Sequence, residues 1–135
     1  TVDFFPTFCA LAGIAPADIL SSHSVQQSPA DYFDGEDLSA ELLGADGQRT
    51  KPLFWEYGRD ESYLKPGLPH DQSPNLAIRD GRWKLLMNAD GSNVELYDFN
   101  ASTHEEDSVA EQHPEVAARL SKRLMSWRES LPELP

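Results

Sequence analysis

The chain has 135 residues and a formal net charge of −12, with 39% apolar residues, ten prolines and eight glycines. That length suits one modest domain or a piece of a larger protein, and the acidity argues against nucleic acid or an anionic membrane as partner. A single cysteine, Cys9, excludes an internal disulfide and leaves the compartment open.

No run approaches the roughly 20 apolar residues of a membrane-spanning helix. The opening TVDFFPTF has neither the basic region nor the cleavage site of a signal peptide. It also lacks an initiator Met and begins directly in a helical pattern, which leads us to expect a fragment of a longer protein. Residues 1–13 read as a short helix with Thr1 or Asp3 as cap and Pro6 in the first turn, where its missing N–H is not needed. Val2, Phe5, Phe8, Cys9, Leu11 and Ala12 fall near helical spacing, and Gly13 stands where a left-handed C-terminal cap belongs. Residues 15–33 are a polar loop with a helical turn near Pro16–Leu20. Asp34-Gly35 turns into DLSAELLG, a helix of one to two turns capped by Asp37 or Ser39 and ended by Gly44.

PLFWEY at 52–57 has strand composition, with Leu53, Trp55 and Tyr57 on one side and Phe54 and Glu56 on the other. Residues 58–74 form an irregular segment held out of regular structure by three prolines and two glycines. From Asn75 to Asp98, two Asp-Gly pairs divide three apolar-alternating runs, the pattern of a double hairpin. Tight turns centred on Asp80-Gly81 and Asp90-Gly91 would set Ile78 opposite Trp83, Leu76 opposite Leu85, Met87 opposite Val94 and Leu85 opposite Leu96. Leu76, Ile78, Trp83, Leu85, Met87, Val94 and Leu96 then share one face, and Arg79, Arg82, Lys84, Glu95 and Tyr97 the other. After an acidic loop, His113-Pro114-Glu115 opens a helix. Val116, Leu120, Leu124, Trp127 and Leu131 form its apolar stripe, the expected cover for the meander, and Arg119, Lys122, Arg123 and Arg128 lie in its middle and last turns, where cations suit the helix dipole. The expected fold is therefore α+β, a four-stranded antiparallel sheet packed by a C-terminal helix.

Complete catalytic motifs are absent from the sequence. There is no GxSxG, P-loop or dinucleotide fingerprint, and the four histidines (His23, His70, His104, His113) form no metal-ligand spacing. His104 beside Glu105, Glu106 and Asp107 reads as a solvated acidic loop, and Cys9 as a buried small hydrophobe. Polar and aromatic candidates cluster at 58–74, in Arg59, Tyr63, Lys65 and His70, with Glu56, Tyr57 and Arg79 beside them at the strand ends. Arg and Lys suit anionic ligands, and Tyr and His suit a sugar or aryl group.

The ordered set of motifs carries a family resemblance. VDFFPTFCALAGI, DGEDLSAELLG, KPLFWEY, NLAIRDGRWKLL, VELYDF and HPEVAARLSKRLMSW resemble successive segments of the C-terminal end of the sulfatases. These are the formylglycine-dependent sulfuric ester hydrolases, of the arylsulfatase and N-acetylgalactosamine-6-sulfatase type. Arg79-Asp80-Gly81-Arg82-Trp83-Lys84 is the strongest piece. The family's D-P-x-E-x-x-N-L segment is only weakly matched, by Ser102, Thr103, Glu105, Ser108 and Val109.

The resemblance implies a boundary segment at 1–50, left from a larger α/β domain, and a C-terminal subdomain at 51–135. It implies that the full-length protein, periplasmic or secreted, hydrolyses sulfate esters of a carbohydrate or an aryl group. The formylglycine, made from Cys in C-x-P-x-R or C-x-A-x-R, and the Ca²⁺ that serves it are expected in a missing N-terminal catalytic domain, this chain's main partner. Cys9 is followed by Leu11 and Gly13 at the positions of Pro/Ala and Arg, so it is not that residue. No catalytic residue, metal ligand or cofactor is thus assigned within the chain, which is expected to be inactive alone. Glu56, Tyr57, Arg59, His70 and Arg79 are the residues expected to line the substrate cleft. The alternatives are a non-catalytic module binding acidic glycans through Arg59, Lys65, His70 and Arg79, or part of a related phosphoester hydrolase.

Overall fold

A computed structural model describes residues 2–23, 28, 32–58, 72–102 and 104–132. The chain divides into two units, Thr1–Lys51 and Pro52–Pro135.

In the first unit, α1 (Phe4–Leu11) and α2 (Pro16–Ser22) are followed by α3, the short turn Ser39–Leu42. Asp3 occupies the N-cap position of α1, but its side chain does not cap the helix. Its Oδ1 instead accepts the Glu36 N–H at 2.9 Å and a hydrogen bond from the Arg49 guanidinium. Burial alone would raise the Asp3 carboxyl, but these two donors outweigh it and hold the group below its ordinary value. Thr7, buried on α1, accepts the Leu38 N–H at 3.0 Å. The Glu36 carboxylate takes the Thr50 N–H at 2.7 Å and its hydroxyl at 2.6 Å, and Lys51 Nζ donates to the Phe33 carbonyl at 2.6 Å. Residues 33–38 are therefore clamped between α1 and 49–51 by polar contacts.

Gly35 has its place for a reason other than the turn expected of Asp34-Gly35. A Cβ there would run into the Val2 carbonyl, so the backbone approaches α1 only because no side chain intervenes. Phe4 and Phe8 stack on each other on the exposed side of α1, centroids 5.6 Å apart.

The second unit is the expected meander plus helix. Strands β1 (Leu53–Glu56), β2 (Leu76–Asp80), β3 (Trp83–Met87) and β4 (Glu95–Asp98) pair antiparallel in sequence order. Helix α4 (Pro114–Ser130) begins with Pro at its first position. Leu76, Ile78, Leu85, Met87 and Leu96 are buried with Ala117, Leu120 and Leu124 of α4, and Trp83, Val116 and Trp127 pack around them. The apolar stripe of the helix thus covers the apolar face of the sheet.

The β3–β4 register is the expected one, with Leu85 opposite Leu96. The β2–β3 register differs. Ile78 faces Leu85, Leu76 faces Met87 and Asp80 faces Trp83. The two turn residues are Gly81 and Arg82, with Gly81 at φ 58°, which suits the first central position of a hairpin turn that needs Gly there. The displacement is two residues, one side-chain period, so every residue kept its expected face. The second turn is longer than expected. Asn88 and Ser92 pair at 2.9 Å, which sets Asn93 and Val94 together against Met87, and Asn93 takes a left-handed φ of 51°. Val94 consequently lies just before β4 and is exposed rather than buried on the apolar face.

Candidate functional site

The expected site residues lie on β1 and β2. The β1–β2 register sets Leu53 opposite Arg79 and Glu56 opposite Leu76. Strand alternation therefore puts Phe54 and Glu56 on the helix-covered face, and Leu53, Trp55 and Arg79 on the other. Glu56 is largely buried, and its Oε1 accepts from Arg128 Nε of α4 at 2.9 Å. It ties the end of the edge strand to the helix.

Tyr57, just beyond β1, is exposed. Its N–H donates to the Asn75 carbonyl at 2.8 Å, and Asn75 Nδ2 donates back to the Tyr57 carbonyl at 3.1 Å. The end of β1 and the residue before β2 are thus joined across one closed rung. Arg59, Tyr63, Lys65 and His70 lie outside the described residues.

Arg79 sits at the other end of the β1–β2 ladder, with its guanidinium over the Phe99 ring at 4.5 Å. It shares its face with a smaller cluster of Ala77, Leu86 and Tyr97, against which Phe99 packs. On that face Lys84 Nζ bonds the Glu105 carboxylate at 2.6 and 2.7 Å. The Tyr97 hydroxyl donates to Glu95 Oε2 at 2.9 Å. Burial, and then the Glu95 carboxylate, push the Tyr97 phenol up to about 12. Glu56 and Arg79 therefore act on opposite faces, and Tyr57 and Arg79 are separated along the sheet.

A pocket of about 190 Å³ opens beside β4, between Tyr97, Asp98, Ser102, His104, Glu106 and Asp107. It contains none of the expected site residues. Among the described residues no three His, Cys, Asp or Glu side chains come together in a way that could hold a metal ion. Cys9 is buried in α1.

One arrangement was not foreseen. Arg119 and Arg123, one turn apart on α4, both direct Nη1 at a single oxygen of Asp80, Oδ2, at 3.0 and 3.1 Å. Their spacing is legible in the sequence, but the carboxylate between them comes from β2 and only the packing of α4 on the sheet supplies it.

The fold is α+β, and the chain-ordered motifs resemble the C-terminal region of sulfatases, a likeness that comparison with known proteins supports. The chain is similar to arylsulfatase K of Bos taurus, with 28% identity over 93% of this chain and 21% of the relative. It is similar also to N-acetylgalactosamine-6-O-sulfatase of Bacteroides thetaiotaomicron, with 31% identity over 51% of this chain and 16% of the relative. The chain thus spans about a fifth or less of the length of these curated relatives. No family model matches it.

Proposed function

We propose that this chain is the C-terminal subdomain of a sulfatase whose full-length form hydrolyses sulfate esters. The likeness to two sulfatases, which extends over 93% of the chain in the longer match, carries this reading. The names of the two relatives, an arylsulfatase and an N-acetylgalactosamine-6-O-sulfatase, support a sulfate ester on an aryl group or a carbohydrate as the substrate class.

In this reading the formylglycine and Ca²⁺ of such chemistry are supplied by the remainder of the full-length protein, since the residues after Cys9 do not form C-x-P-x-R or C-x-A-x-R. The role of this unit is structural, with a contribution to one wall of the substrate cleft. Tyr57, Arg59, His70 and Arg79 contact the substrate in this reading. Glu56, held by Arg128, positions the strand end from which the 58–74 segment leaves. The exposure of Tyr57 and Arg79 supports their assignment.

The sequence of the full-length protein upstream of residue 1 tests the reading. It is expected to contain C-x-P-x-R or C-x-A-x-R. A Ser or Thr nucleophile in that place would point to phosphoester chemistry instead.

A further inference from the structure

We propose that Arg119 and Arg123, in the middle turns of α4, form a sulfate-binding site for an acidic glycan. Both guanidinium groups converge on one carboxylate oxygen, Asp80 Oδ2, so a single negative charge serves two cations. An Arg fork presents five N–H donors. One from each fork goes to Asp80, and the side chains are 53% and 46% exposed, which leaves donors directed to solvent. Lys122 lies between them in sequence and is also exposed. Glu115, one turn upstream of Arg119, lies 4.0 Å from His113 Nδ1. Arg82, the neighbouring turn residue, lies with its guanidinium 4.5 Å over the Trp83 ring and pairs with Asp98 at 3.2 Å.

Planar, delocalised guanidinium groups bind tetrahedral oxyanions through paired N–H donors, and two of them fixed by a shared anchor lose little freedom when they do. The chain's charge of −12 repels a polyanion in general, which makes the location of an unbalanced pair of arginines decisive. Screening over about 8 Å at physiological salt keeps the distant carboxylates from cancelling it. Asp80 both fixes the arginines and competes with the ligand, and this sets the sign of the test. The site shares no residue with the proposed substrate cleft, and its binding assay is independent of sulfate ester turnover.

The experiment is equilibrium binding of the protein to chondroitin sulfate and to unsulfated hyaluronan at low and physiological salt, with thermal melting of every variant. Wild type is expected to bind chondroitin sulfate in a salt-dependent manner and hyaluronan at least several-fold more weakly. Arg119→Gln/Arg123→Gln should weaken chondroitin sulfate binding at least tenfold. Lys84→Gln, which removes one positive charge from the opposite face of the sheet, should change it less than twofold. Asp80→Asn should strengthen binding several-fold although it lowers the melting temperature, the reverse of what a purely structural ion pair would do. Undiminished binding by the folded double variant, unchanged or weaker binding by folded Asp80→Asn, or equal binding of hyaluronan would each overturn the assignment. Should one variant fail to fold, the other decides.

Discussion

Phe54 of the edge strand β1 lies stacked on Trp127 of α4, ring centroids 5.0 Å apart and planes inclined by only 10°. The contact joins the first strand of the meander to the last turns of the chain and closes one end of the core. Trp127→Ala should cost about 3 kcal/mol, the lower end for removing a large aromatic side chain because Trp127 is half-buried. Phe54→Leu, which keeps apolar bulk but not the stack, should cost about 1 kcal/mol. Urea unfolding of both variants measures this. A negligible loss for Trp127→Ala would mean that α4 is not fastened to β1 by this pair.

That stack shows where sequence reasoning reaches and where it stops. The helix stripe and the apolar face of β2–β4 are legible because each repeats with the period of its element, and a register error of two residues leaves faces unchanged. The turn position was missed because Gly81 serves equally as first or second central residue of a hairpin, and the neighbour that loses the choice, Asp80, is wanted by Arg119 and Arg123. β1 is harder. Apolar residues stand on both of its sides, so alternation groups Leu53 with Trp55 but does not say which group faces α4. The structure turns Phe54 inward, and Glu56 with it. The site residues were chosen by side-chain chemistry and nearness in sequence, neither of which determines the face of a sheet.

Glu56 provides a direct comparison of two roles. Its buried carboxylate and the partly exposed Arg128 form an ion pair at 2.9 Å. Glu56→Gln should lower stability by about 1–2 kcal/mol, less than for a fully buried pair because Arg128 can regain water. In the proposed full-length sulfatase it should leave KM nearly unchanged, as expected of a positioning residue. Stability equal to wild type together with a large rise in KM would instead place Glu56 against the substrate.

Within the first unit, Gly35→Ala should destabilise the clamp around α1 by about 1–3 kcal/mol, because the added methyl meets the Val2 carbonyl rather than a movable side chain. Hydrogen exchange of the Glu36 and Leu38 amides, which are held by Asp3 and Thr7, should report the loss locally. The same clamp carries an acid dependence. The Asp3 carboxyl is depressed in the folded state, so its stabilisation is complete above its ordinary value of 3.8 and is lost as pH falls through the depressed one. Asp3→Asn should flatten that part of the acid limb.

At the alkaline end the sign is opposite. Tyr97 is raised from 10.0 to about 12 in the fold, so the stability linked to its neutral phenol is complete below pH 10 and declines as pH rises toward 12. Absorbance titration at 295 nm should show one tyrosine ionising late among the four in the chain. Tyr97→Phe should remove that late component. Loss of an early component, with the late one still present, would mean that the Tyr97–Glu95 hydrogen bond is not kept in solution.

The central claim is that this sulfatase-like unit contributes to an active enzyme without being one. The direct measurement is turnover of a chromogenic aryl sulfate by purified residues 1–135 and, in parallel, by the full-length protein produced with its formylglycine. The account predicts hydrolysis by the full-length protein and a rate indistinguishable from the blank for residues 1–135. Turnover by residues 1–135 above the blank, or cleavage of aryl phosphates but not sulfates by the full-length protein, would contradict it.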